Sequence, residues 1–95
     1  MRKFARVDDN HAEIAAALRQ AGCSVQSLAS LGSGCPDLLV GRHNANFLLE
    51  VKDGRKSPSK RRLTPDEKDW HEAWRGQVCV VESVNDALWV VGVYS

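Results

Sequence analysis

Two short apolar runs, DLLVG (Asp37 to Gly41) and NFLLEVK (Asn46 to Lys52), are separated only by RHNA. Runs this short and this close have room for a β-hairpin and little else. Side chains alternate along a strand, so Leu48, Glu50 and Lys52 share one side and Phe47, Leu49 and Val51 the other. An antiparallel partner would bring Asp37, at the start of the first run, beside Glu50, near the end of the second. Two carboxylates and a lysine then converge. The alternative for Glu50 and Lys52 alone is an edge-strand ion pair worth about 0.2–1 kcal/mol, with no function attached.

Other elements arrange themselves around this hairpin. DDNHAEIAAALRQA, from Asp8 to Ala21, is Ala-rich, starts with acids and is followed by Gly22, which predicts a first helix with Ile14 and Leu18 one turn apart. VQSLAS (Val25 to Ser30) reads as a strand, and LGSGC supplies two glycines for a turn or a close backbone approach. DGRKSPSKRR has no periodicity and reads as a loop. In LTPDEKDWHEAW, Thr64 is an N-cap, Pro65 suits the first helical position, and Glu67 completes a capping box, with Leu63 as a staple. Trp70 and Trp74 are expected to form the buried stripe of this second helix, and Gly76 to end it. VCVVE (Val78 to Glu82) reads as a strand, and Ser83 caps a short helix, SVNDALWVV, whose Val and Trp content leaves a strand reading open. The order predicts an α/β fold, one mixed central sheet flanked by helices.

The chain's 95 residues, 43% hydrophobic and 26% charged, fit a single globular domain spanning 1–95. A chain this short buries only about two-thirds of its unfolded surface, so association would help it. Net charge is +1, but the charges are unevenly placed: GRKSPSKRR holds five of the 13 Lys and Arg residues and no acid. Lys56, Lys60, Arg61 and Arg62 in that loop are candidates for phosphate contact, against the alternative of a solvated loop. Cys23, Cys35 and Cys79 have no metal-ligand spacing, and reduced thiols in a cytoplasmic setting are the simpler reading. The start, MRKFARVDDNH, has no apolar signal segment, and no run approaches a membrane span. His11, His43 and His71 lack metal spacing too, so surface or capping roles are expected, with His71 able to bond near a substrate.

Paired carboxylates beside a lysine suit a hard divalent cation such as Mg²⁺, which takes oxygen ligands and keeps waters. Phosphodiester hydrolysis is the chemistry such a set can do. Pro36-Asp37 followed by Glu50-Val51-Lys52 resembles the PD-(D/E)xK nuclease motif. GCPDLLVG and FLLEVKDGRKSPSKRRLTPDEKDWHEAWRGQVCVVES are similar to the VRR-NUC branch, especially its small stand-alone phage and bacterial forms. The resemblance extends from the first helix to about Asp86.

It implies a restriction-endonuclease-like core and a Mg²⁺- or Mn²⁺-dependent endonuclease without an organic cofactor. It also implies a homodimer acting on branched DNA such as Holliday junctions, intracellular in a bacterial host or phage-encoded. Residue by residue it implies that Asp37 and Glu50 bind the metal with the Val51 carbonyl, that Lys52 assists the nucleophilic water, and that Glu13 on the first helix joins the metal site. An exposed helix acid is an equal reading of Glu13. One position departs: similar sequences often carry Gln where Glu67 stands, and the capping box accounts for Glu67 without catalysis. The rivals are a non-catalytic DNA-binding or assembly module on the same fold, and a nuclease acting on RNA or on linear, restriction-type DNA.

Overall fold

The computed structural model describes residues 8–94. Most of the N-terminal stretch read for a signal segment lies outside them. The elements are α1 (His11–Gln20), β1 (Ser24–Ser27), β2 (Leu38–Arg42), β3 (Ala45–Val51), α2 (Pro65–Ala73), β4 (Cys79–Val81) and α3 (Val84–Val90). Single 3₁₀ turns lie at Ala29–Leu31 and Pro58–Lys60. The four strands form one sheet in the order β1-β2-β3-β4, with β1, β2 and β3 antiparallel and β4 parallel to β3. This is the mixed α/β arrangement expected. No helix among the described residues is long and apolar enough to cross a membrane.

The hairpin forms with a tighter turn than RHNA: Arg42 pairs with Ala45, leaving only His43 and Asn44 between the strands. Both have positive φ, 48° and 67°, the signature of a type I′ turn, whose twist matches that of the strands it joins. VQSLAS is a strand only to Ser27, and Ala29 turns into the first 3₁₀ segment.

One face of β3 makes the core. Leu49 and Val51 are buried with Leu38, Val40 and Val81 beneath Ile14 and Leu18 of α1 and Ala87 and Leu88 of α3. Asn10, at the start of α1, makes no side-chain cap bond. Its Nδ2 instead donates to the carbonyl oxygens of Lys52 and Glu82 (3.1 and 3.3 Å), fastening α1 to the ends of β3 and β4.

The capping box of α2 is present as expected, with Thr64 Oγ1 accepting from Glu67 N and Glu67 Oε1 from Thr64 N. The expected buried stripe is not. No residue of α2 is fully buried, Trp74 is 45% exposed, and the two indoles stack on each other at 4.6 Å. The helix ends at Ala73, before Gly76, because Trp74 turns extended while its indole Nε1 donates to the Gln77 carbonyl. Gly34 has φ +81°, and a Cβ there would collide with the Asp66 carbonyl oxygen. The LGSGC turn is thus where the backbone approaches the first turn of α2. Ser83 caps α3 by accepting from Asp86 N, which settles SVNDALWVV as a helix.

Candidate active site

The β2–β3 register, Leu38 opposite Leu49, extends one step to set Asp37 opposite Glu50. Asp37 N donates to the Leu49 carbonyl at 3.1 Å, and Asp37 Oδ2 accepts from Val51 N at 2.7 Å. Lys52 N points the other way, to the Val81 carbonyl of β4 at 2.9 Å. Since the N–H and C=O of one strand residue point to the same edge, the Val51 carbonyl lies on the Asp37 side. Asp37 is 7% exposed and Glu50 1%, a degree of burial that carboxylates rarely reach without partners.

That burial governs the electrostatics. The Glu50 carboxyl is pushed up to about 10, first by loss of water, then by the hydrogen bonding and charge of Asp37 and the charge of Glu67, against the pull of Lys52. Burial alone would lower the Lys52 ammonium, but its bond to Glu67 and the surrounding carboxylates carry it above the ordinary lysine value. For Glu67 burial acts upward, yet the bonds from Lys52 and the Thr64 amide hold it below the usual carboxylate range.

Glu67, which sequence reasoning leaves outside the site, and His71, which it reads only as able to bond near a substrate, both contact the motif residues. Glu67 Oε1 lies 2.7 Å from Lys52 Nζ while still serving the cap, so capping and ion pairing are one arrangement. His71 Nε2 lies 3.3 Å from Glu50 Oε1. Burial, its largest influence, lowers the imidazole below its ordinary value, which favours a hydrogen bond over an ion pair at this contact. The signal that could have found both is their i, i+4 spacing on a helix following the ExK strand.

Glu13 is not brought in. Ile14 and Leu18 turn the core side of α1 toward the sheet, leaving Glu13 exposed in a recess of about 330 Å³ with Asn10, Gly54, Arg55, Glu82 and Asp86. Neither Asp37 nor Glu50 lines that recess. Among the described residues no three His, Cys, Asp or Glu side chains stand in metal-ligating geometry. The donors available are therefore two carboxylates and a main-chain oxygen. Such a set fits Mg²⁺ or Mn²⁺, ions that accept one or two carboxylates and keep water in their remaining positions. A cation bound there would also take the place of the proton that burial keeps on Glu50.

In the basic loop, Lys60 and Arg62 are exposed. Lys56 reaches Asp8 and Asp9 at 3.5 and 3.7 Å, and Arg61 pairs with Glu82 at 3.3 Å and donates to the Lys56 carbonyl. Half of the expected phosphate contacts are thus engaged within the chain.

No protein-family model matches the chain, and no curated protein sequence matches it. A solved structure titled as a VRR_NUC domain does: the two share 28% identity over 90% of this chain and 95% of the other, with a TM-score of 0.63.

Proposed function

From a chain whose likeness supports a VRR-NUC, nuclease-type domain, we propose a divalent-metal-dependent endodeoxyribonuclease that acts as a homodimer on branched DNA such as Holliday junctions. The observation that carries the reading is the burial of Asp37 and Glu50 side by side with Lys52 on adjoining positions of the sheet.

Asp37, Glu50 and the Val51 carbonyl would hold Mg²⁺ or Mn²⁺. Bound there, the cation supplies Lewis acidity and neutralises charge on the scissile phosphate. An ammonium has three donors, and Glu67 takes one on Lys52, which leaves two for an attacking water and a non-bridging phosphate oxygen. Lys52 thereby orients the water and offsets the negative charge that grows as phosphorus takes a fifth oxygen. Asp37 holds the Val51 amide and so fixes the strand end that presents the main-chain oxygen. Glu13 is a ligand in this reading only if its side chain turns from its recess, so we give it no step.

Lys60 and Arg62 would meet phosphates, joined by Lys56 and Arg61 where DNA displaces their intramolecular partners. The dimer is supported by size. The chain exposes 6318 Å², and a specific DNA interface takes upwards of about 1,000 Å² of protein, a share that a two-fold assembly halves for each chain. Free Cys23, Cys35 and Cys79 suit a reducing cytoplasm.

The test is nicking of labelled junction, flap and linear DNA and of RNA in Mg²⁺, Mn²⁺ or EDTA, with Lys52→Ala as control. Metal-dependent cleavage, strongest on the junction and lost in the variant, is expected. Equal activity in EDTA or in Lys52→Ala would overturn the nuclease reading, and a preference for linear DNA or RNA would overturn the substrate. Light scattering at one chain's mass would count against the dimer.

A further inference from the structure

Resting on the nuclease reading, we propose that α2 braces the E-x-K pair, with Glu67 and His71 as the positioning residues of Lys52 and Glu50. Glu67, His71 and Trp74 stand at i, i+4 and i+7, along one side of a helix and its C-cap. Lys52, Glu50 and Leu48 stand at i, i−2 and i−4, one side of a strand. Glu67 bonds Lys52, His71 bonds Glu50, and Trp74 lines an apolar recess with Leu48. The helix therefore runs back along β3. The spacings agree, since four residues of helix advance about 6 Å and two residues of strand about 6.6 Å.

A lysine has four rotatable bonds and a buried ammonium without a partner is costly, so something has to fix Lys52 Nζ. One oxygen, Glu67 Oε1, accepts from both Thr64 N at 2.8 Å and Lys52 Nζ at 2.7 Å. The ammonium is thereby located relative to the first turn of α2, which is itself seated against Gly34. Glu50 is fixed from two sides, by strand pairing and by the imidazole of His71. The competing account is that Glu67 merely completes a cap and that His71 fills space.

The two accounts separate on a panel of variants. Glu67→Ala removes cap and brace, Glu67→Gln keeps an acceptor for both, and Thr64→Ala removes the cap alone. His71→Leu removes the bond to Glu50, and His71→Gln restores a polar atom near Nε2. Single-turnover cleavage of saturating junction DNA in Mn²⁺ is expected to slow about 10- to 100-fold in Glu67→Ala and His71→Leu. DNA affinity is expected to hold, Glu67→Gln and His71→Gln to recover most of the rate, and Thr64→Ala to cleave as wild type. Nitrogen-15 NMR of the Lys52 ammonium supplies a readout that needs no activity: its slowly exchanging signal should vanish in Glu67→Ala and persist in Thr64→Ala. A rate loss in Thr64→Ala equal to that in Glu67→Ala, no rescue by the glutamines, or an ammonium signal indifferent to Glu67 would overturn the brace. Should the wild type cut no DNA while the signal depends on Glu67, the nuclease reading falls and the brace stands.

Discussion

The two sides of β3 are held by different forces. On one, Leu49 and Val51 join a dry cluster with α1 and α3, where stabilisation scales with apolar area removed from water. On the other, Glu50 and Lys52 meet α2, which buries no residue fully and is held by a capping box, an ion pair, an imidazole contact and a close approach at Gly34. Hydrophobic contact is tolerant of small displacements, whereas bonds of 2.7–3.3 Å are directional. A single strand thus divides the labour, with odd positions securing the fold and even positions fixing where charges stand.

The comparison breaks most severely at the dry side. Leu49→Ala removes a side chain with no exposure and should cost about 2–5 kcal/mol in urea unfolding; a loss near zero would mean that this cluster does not carry the fold. Asp37→Asn tests the opposite side. The amide oxygen can still accept from Val51 N, so the midpoint of unfolding without metal should stay level or rise as a buried carboxylate is removed from beside Glu50. Cleavage under the proposed mechanism should fall about 10²- to 10³-fold, and Mn²⁺ binding by calorimetry should weaken. A folded variant that cuts at the wild-type rate would remove Asp37 from the mechanism.

The pH dependence of stability sharpens the contrast further. Glu50 titrates near 4.5 in the unfolded chain and is raised to about 10 in the fold, so the fold keeps a proton that the unfolded chain gives up. A raised carboxyl contributes its stability fully below 4.5 and loses it as pH climbs toward the folded value. The lowered His71 adds an opposite slope only below its unfolded value of 6.5, so metal-free protein should melt lower at pH 8 than at about pH 7. Glu67 and Asp53 are shifted downward instead, Asp53 to about 2 by its bonds from Arg55, so their contributions are lost in acid, below this window. Glu50→Gln should flatten the slope; a slope unchanged in that variant would place its origin elsewhere. Added Mg²⁺ should raise the melting temperature more at pH 8, where a cation replaces the proton.

The sequence made the dry side and the strand pairing legible because both rest on local signals: period-two alternation, a short turn, and caps such as Thr64 and Ser83. It made Asp37, Glu50 and Lys52 legible for the same reason, since register follows from the hairpin. Trp70 and Trp74 were misleading, because apolar spacing on a helix says that a stripe exists and not what covers it. The contacts of Glu67 with Lys52 and of His71 with Glu50 were not legible because these partners are 15 and 21 positions away, and local pattern already explained Glu67. Glu13 shows the converse limit: a helix position can match a pattern while the core contacts of Ile14 and Leu18 turn it elsewhere.

The smallest expected effect is at Thr64, and it discriminates between the two sides by location rather than size. Thr64→Ala removes one N-cap acceptor and should cost α2 about 1 kcal/mol. If α2 were part of the same cooperative unit as α1 and α3, that loss would appear equally at every slowly exchanging amide. An element that buries no residue fully and rests on a few bonds should open by itself. Hydrogen exchange in Thr64→Ala should then quicken at the amides of α2 that follow Pro65 while those of His11–Gln20 and of β3 keep their protection. Uniform quickening would show that the polar contacts bind α2 to the sheet as firmly as apolar burial binds α1. Local quickening would mean that the helix carrying the site's positioning groups is also the part of the fold most readily displaced.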